Sequence, residues 1–382
     1  PIKEGVVTLR RGVSVFFILV GVATTLFIVL AFGAYLASGR SPSIPNQSVL
    51  VMRPGGELLE VLPDDVVGQV LGGERGTVRT LIESLQKAKR DPRITSVLLL
   101  PATLELPFWG KVQELRDAIT DFRRSRKPVI AYLEYGGDRE YYLASAADQV
   151  YLLPSSPLDL TGIASYEVFL RGALDKIGAF PDFVQIGPYK TAANQLTQRN
   201  FTDAHREMTE WLNRDLYEQL VQGIAEGRRK SVDQVRALLD DGPFPPEAAR
   251  GAGLVDGLAY LDQLDDRVAV LKQTDGEDRT IDASLYQRVT PQSVGIRPTA
   301  RVAVLHASGI IASGKSAYDP VNGAVVGSDT MVEQIRQIRD DESIRAIVMR
   351  VDSPGGSSVA SDVIWRELMI TRDAKPSRPL IV

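Results

Sequence analysis

Apolar positions along this chain fall into three patterns. Val13–Ala37 is an almost unbroken apolar run of 25 residues. As a helix it would span about 37 Å, more than the ~30 Å hydrocarbon core of a bilayer. Arg10 and Arg11 precede it and Arg40 follows alone. The positive-inside bias then places the N-terminus in the cytoplasm and everything later outside it. The run is too long for the apolar region of a cleaved signal peptide, so an uncleaved membrane anchor is expected. Ser38–Ser48, rich in Ser and Pro, reads as a polar linker.

The second pattern is an alternation of short β-branched runs with helical periodicity. Val49–Met52, Val97–Leu100, Val129–Tyr132 and Val150–Leu153 read as strands. Leu81, Leu85 and Ala88 mark a helix, Val112, Leu115, Ile119 and Phe122 another, and Tyr141–Ala147 a third. This alternation predicts an α/β domain with a parallel sheet.

The same order then returns. Val302–Leu305 reads as a strand, and Met331, Ile335 and Ile338 lie 250 residues after Leu81, Leu85 and Ala88 (331 − 81, 335 − 85, 338 − 88). Ile347–Arg350 falls at the same offset from Val97–Leu100, and Arg378-Pro379-Leu380-Ile381 echoes Lys127-Pro128-Val129-Ile130. An internal duplication is expected, its second copy breaking off at Val382 inside an apolar run, as in a fragment.

Between the copies the third pattern is helical. Met208, Trp211, Leu212, Leu216 and Leu220 give an amphipathic helix over Ala204–Gln222. Ser231 and Gln234 form a capping box, and Gly242-Pro243-Phe244-Pro245-Pro246 breaks the chain. Leu258, Leu261, Leu264 and Val268 predict a further helix, and polar Gln273–Gln287 a connector.

Composition narrows the chemistry. The chain has 382 residues, net charge −4 and 44% hydrophobic content, so it carries no basic field for nucleic acid. It has no cysteine, which excludes disulfides and thiolate chemistry, and only His205 and His306, in no metal-ligand spacing. Both histidines read as surface or packing residues. Arg123, Arg124, Arg126 and Lys127 read as a solvated helix end, and Glu134 and Asp148 as solvated or turn-forming.

The densest chemical signal is Arg350-Val351-Asp352-Ser353-Pro354-Gly355-Gly356-Ser357-Ser358, after the strand Ala346–Met349 and before a helix marked by Val359, Val363, Ile364 and Leu368. Ser357 or Ser358 is the expected N-cap. Pro354 fixes φ and the two glycines permit unusual backbone angles. Free N–H groups at such a turn, beside a helix N-terminus, can hold an anion, including the oxyanion of an acyl-transfer intermediate. An ordinary capped turn is the plainer alternative. Asp352 either orients the loop or caps it. The first copy has Pro101-Ala102-Thr103-Leu104 at the corresponding place, without the glycine pair.

Together with Gly187-Pro188-Tyr189-Lys190-Thr191-Ala192 and Glu247-Ala248-Ala249 leading into Gly253-Leu254-Val255-Asp256-Gly257, these segments resemble the long form of the protease IV (signal peptide peptidase A) family over nearly the whole chain. The resemblance implies a Clp-protease-like or crotonase-like spiral of β-β-α units and peptide-bond hydrolysis by a serine–lysine dyad, without metal or cofactor. It assigns the catalytic lysine to Lys190 and the oxyanion turn to Gly355 and Gly356. The family's nucleophile falls beyond Val382, at the counterpart of Asp138, so the 382-residue chain alone is expected to be inactive. The implied partners are signal peptides and similar short chains, the bacterial cytoplasmic membrane with the catalytic region outside, and further copies of the chain, as a tetramer.

Lys190 can act as a base only as a neutral amine, which burial would favour; Phe183, Val184, Ile186, Ala192 and Ala193 predict such an apolar setting. The expected division is a tail at 1–12, an anchor at 13–37, a linker at 38–48, a first repeat at 49–272, a connector at 273–300 and an incomplete second repeat at 301–382. Two rival functions stand beside this one. A non-catalytic membrane scaffold would keep the fold and the oligomer, and a crotonase-type acyl-CoA enzyme would use a similar turn.

Overall fold

The computed structural model describes residues 24–25, 42–56, 58–61, 77–105, 109–264, 279–319 and 323–382. The expected anchor at 13–37 lies outside them except for Thr24 and Thr25, which are helical. Among the described residues no helix is long and apolar enough to cross a membrane.

The first half opens with β1 (Ser48–Met52), α1 (Val78–Arg90), β2 (Ile94–Leu99), α2 (Trp109–Arg123) and β3 (Val129–Leu133). It continues through β4 (Gly136–Gly137), α3 (Asp138–Ala144), β5 (Gln149–Leu152) and β6 (Leu158–Asp159). Then come α4 (Arg171–Lys176), α5 (Asn194–Thr197), α6 (Asp203–Arg228), α7 (Val232–Asp241), α8 (Pro246–Gly251), β7 (Gly257–Leu258), β8 (Thr280–Asp282) and α9 (Ala283–Tyr286).

Six of these strands form one parallel sheet in the order β7-β5-β3-β2-β1-β8. Val49–Met52 of β1 is apolar on both sides because both sheet faces are covered. Leu50 and Met52 enter the larger core with Leu99, Val112, Ile119 and Phe122, while Val49 and Val51 enter a smaller one with Leu98, Ile130 and Tyr132. The α7 capping box forms as read, with Ser231 and Gln234 satisfying each other's backbone N–H.

Several stretches depart from the sequence reading. Gln273–Gln287 is not merely a connector: Thr280–Asp282 adds an edge strand beside β1, and Tyr286 is fully buried, its hydroxyl donating to Asp91. Polar residues suit an edge strand with one open side, which hid it. Leu258 is not helical but pairs with Leu152 at the opposite edge. α3 begins at Asp138 rather than Tyr141, because Gly137 serves as N-cap and Asp138 and Glu140 occupy the first turn. Arg123 and Asp148 are not solvated singly. They pair at 2.6 Å, and Asp148 also accepts the Val129 N–H.

The second half contains β9 (Arg301–Ser308), β10 (Ile310–Ala312), β11 (Ala317–Asp319), β12 (Gly323–Gly327), α10 (Ser328–Asp340), β13 (Ile344–Asp352), α11 (Ser358–Ala374) and β14 (Leu380–Ile381). β14, β13 and β9 form a parallel sheet in that order, and β10, β12 and β11 a smaller mixed one. One face of the larger sheet packs Leu305, Ile347 and Met349 against Met331 and Ile335 of α10 and Ile364 and Leu368 of α11. Alternation puts Val302, Val304 and His306 on the other face, with Arg350 and Asp352 of the neighbouring strand. α1 and α10 end alike: the Asp91 N–H donates to Lys87 O and the Asp341 N–H to Gln337 O.

Candidate active site

The Gly355–Gly356 turn joins β13 to α11. Ser357 is the N-cap, its hydroxyl accepting the Ala360 N–H. Gly355 and Gly356 have φ of +116° and +155°, values that a Cβ resists. A β-bridge locks the turn to β10. The Ile311 N–H donates to Gly355 O at 3.0 Å and the Ser357 N–H to Ile311 O at 2.8 Å. A Cβ on Gly356 would lie 2.0 Å from Ile311 O, so glycine is required for this approach.

The two glycine N–H groups have different fates. That of Gly355 donates to Ser353 Oγ at 3.1 Å and is not free. In an extended bridge, backbone groups of successive residues point to opposite sides. The Gly356 N–H therefore faces away from Ile311.

The first half builds the same bridge without glycines at the turn. The Gly56 N–H donates to Thr103 O at 2.8 Å, and the Glu105 N–H to Gly56 O at 3.1 Å. Leu104 stands in the Gly356 position, and its N–H also points away from the bridge. There it meets a carboxylate: Leu104 N–H donates to Glu140 Oε1 at 2.6 Å, with Glu140 buried. This bond has the length of a charge-assisted contact from the outward N–H of Leu104. Sequence reasoning passed over Glu140, although its place two residues after Asp138 was a signal.

Asp138 lies at the N-terminus of α3 and accepts the Thr161 and Gly162 N–H groups at 3.2 and 3.1 Å. Burial outweighs these bonds and pushes its carboxyl up to about 6.

Lys190 follows a turn in which Gly187 has φ +77°. Tyr189 is held by its hydroxyl, which donates to Glu207 of α6 at 2.6 Å, and Thr191 and Asn194 anchor the other side by burial. Among the described residues the apolar setting expected for Lys190 is not found. Lys190 is exposed, as are Phe183 and Ile186, and Val184 is 100% exposed. The apolar residues are present, but among the described residues Phe183, Val184 and Ile186 stay exposed. Among the described residues no hydrogen bond or ion pair joins Lys190 to the Gly355–Gly356 turn. His205 is a packing residue, buried against Phe169 and Phe201. The described residues hold no cluster of potential metal ligands.

Charged residues surround the end of β13. Asp352 Oδ2 lies 2.7 Å from Lys111 Nζ of α2. Arg350 reaches Glu60 through Nε and Nη2 and Glu114 of α2 through Nη2, each at 2.7 Å. The partner of Asp352 thus lies on α2, where local sequence did not reveal it.

Residues 121–275, which include Lys190 but not the Gly355–Gly356 turn, match the model of peptidase family S49. The chain is 30% identical to the chloroplastic serine protease SPPA of Arabidopsis thaliana, over 78% of this chain and 44% of that protein. It is 31% identical to protease 4 of Salmonella typhi (79% of this chain, 49% of that one) and 28% to protease 4 of Haemophilus influenzae (79% and 50%). The chain spans about half the length of these relatives. By these matches it belongs to the protease IV family, peptidase family S49.

Proposed function

We propose that this chain carries the general base and the oxyanion donor of a serine peptidase that works by a serine–lysine dyad. In this reading Lys190 Nζ takes the proton from a serine hydroxyl supplied outside the 382 residues. The hydroxyl oxygen attacks the scissile carbonyl, and the Gly356 N–H binds the oxyanion that forms. The observation that supports it most directly is the paired turn. The N–H in the Gly356 position is occupied by a carboxylate in the first half, so the motif accepts negative charge there.

The wider reading has a duplicated Clp-like spiral behind a single membrane anchor, with the catalytic region outside the cytoplasm. The matching turns after α1 and α10 support the duplication. Exposed Val184, Ile186 and Tyr189 support assembly into a homo-oligomer, the resemblance suggesting a tetramer, in which burial would favour a neutral Lys190 amine. An enclosed assembly would admit unstructured chains such as released signal peptides and exclude folded proteins.

The test is Lys190→Ala in the complete protein, assayed on an unstructured peptide. A fall in kcat of about 10²–10⁴-fold is expected for loss of a general base. Unchanged turnover removes Lys190 from the mechanism and leaves an enzyme without this dyad; no turnover in the wild-type protein leaves the scaffold reading.

A further inference from the structure

We propose that Arg350 and Asp352 are positioning residues. They lock the Gly355–Gly356 turn onto the Lys190-bearing half through a reciprocal charge pattern with Glu60, Glu114 and Lys111. The proposal rests on the dyad reading above for its catalytic consequence, but not for its geometry.

The pattern follows from two periodicities. Residues two apart on a strand share a face, so Arg350 and Asp352 both leave β13 on the side away from α10 and α11. Residues three apart on a helix share a face, so Lys111 and Glu114 both leave α2 toward β13. The charges are crossed: a base and an acid on the strand meet an acid and a base on the helix. Glu60, 4% exposed in its side chain, adds a second carboxylate for Arg350. His306, paired with Arg350 across β9, brings Nδ1 within 3.9 Å of that same carboxylate.

Buried ion pairs return little net stability, because removing charge from water costs about what the attraction recovers. They do discriminate strongly between arrangements. Sliding β13 by two residues keeps the same face but brings Arg350 toward Lys111, setting like charges together. Only the observed register satisfies all five groups. Asp352 immediately precedes Ser353, and its carbonyl accepts the Gly309 N–H at 2.9 Å. Its placement is thereby passed to the β10 strand that bridges Gly356. The first half has Leu98, Leu100 and Ala102 along the corresponding stretch and needs no such lock, being embedded in its own six-stranded sheet.

The experiment compares Lys111→Asp, Asp352→Lys and the swapped pair K111D/D352K in the complete protein. Each single reversal is expected to lower kcat by at least about 30-fold with KM changed by less than about 3-fold, and the swap to recover to within about 5-fold of wild type. Hydrogen exchange at the Ile311 and Ser357 amides gives a readout independent of turnover. Each single reversal should speed exchange at least about 10-fold, with the swap restoring protection. Arg350→Lys, which keeps the charge but loses the forked contact to two carboxylates, should show the same changes more weakly.

Singles that leave kcat and amide protection unchanged overturn the proposal, as does a swap no better than either single. If the wild-type protein shows no peptidase activity, the dyad reading fails and amide exchange alone decides the lock. Should the reversals prevent folding, Asp352→Asn and Arg350→Gln supply the same two readouts.

Discussion

The turns Thr103-Leu104-Glu105 and Gly355-Gly356-Ser357 share a backbone plan and differ in what fills it. Both close a parallel β-bridge to a preceding segment, Gly56 in one and Ile311 in the other. In the first, glycine stands on the preceding segment and the turn carries side chains. In the second, the preceding residue is isoleucine and the turn is stripped to glycines. In the first, the outward N–H is held by buried Glu140; in the second, the corresponding N–H at Gly356 faces away from its bridge. One turn is closed internally by a carboxylate and serves structure. The other turns the corresponding N–H away from its bridge, the position where the proposed dyad mechanism needs an oxyanion donor.

Gly356→Ala should have the largest effect on this comparison. The new Cβ would clash with backbone at Ile311, which cannot rotate away, at a φ of +155°. A loss of at least about 3 kcal/mol is expected in urea unfolding, with a fall of about 10²–10³-fold in turnover of the complete protein. A silent substitution would mean that the glycine is not there for close approach, and the likeness of the two turns would fail.

Glu140→Ala is the reciprocal test in the first half. It leaves the Leu104 N–H without its carboxylate in a buried place, costing about 1–3 kcal/mol. Glu140→Gln keeps an acceptor oxygen and should cost less. Equal losses for both would point to packing rather than to the anion site.

The smallest effect is expected at Asp138. Its carboxyl is held near 6 in the folded chain, against about 3.9 when unfolded. Between these values the folded state retains a proton that the unfolded state has released, so stability falls as pH rises from about 4 to 6. Asp138→Asn should remove that slope while keeping an acceptor for Thr161 and Gly162. Once screening by solvent is allowed for, the change is about 1 kcal/mol, readable from melting temperatures across that window. A variant whose pH profile parallels the wild type would place the titration elsewhere.

Much of the framework could be read beforehand. The apolar runs at Val49–Met52, Val97–Leu100 and Val129–Tyr132 became parallel strands because side-chain periodicity is a local property of strand and helix. The Ser231–Gln234 box and the Ser357 cap were legible because capping acts within one turn. β8 escaped because an edge strand needs only one partner and tolerates polar residues. The exposure of Lys190 escaped because apolar neighbours in sequence do not guarantee that anything covers them. The Arg350–Glu60 contact spans 290 residues, and no local pattern selects among so many possible partners.

The sequence by itself determined the central parallel strands with the helices between them, the glycine-dependent turn and the absence of thiol chemistry. Each depends on residue type and short-range spacing. Only the tertiary structure decided which carboxylate meets Leu104, which lysine meets Asp352, and that Lys190 is exposed among the described residues. Those outcomes arise when distant segments pack, because ion pairing and desolvation depend on distance through space rather than along the chain.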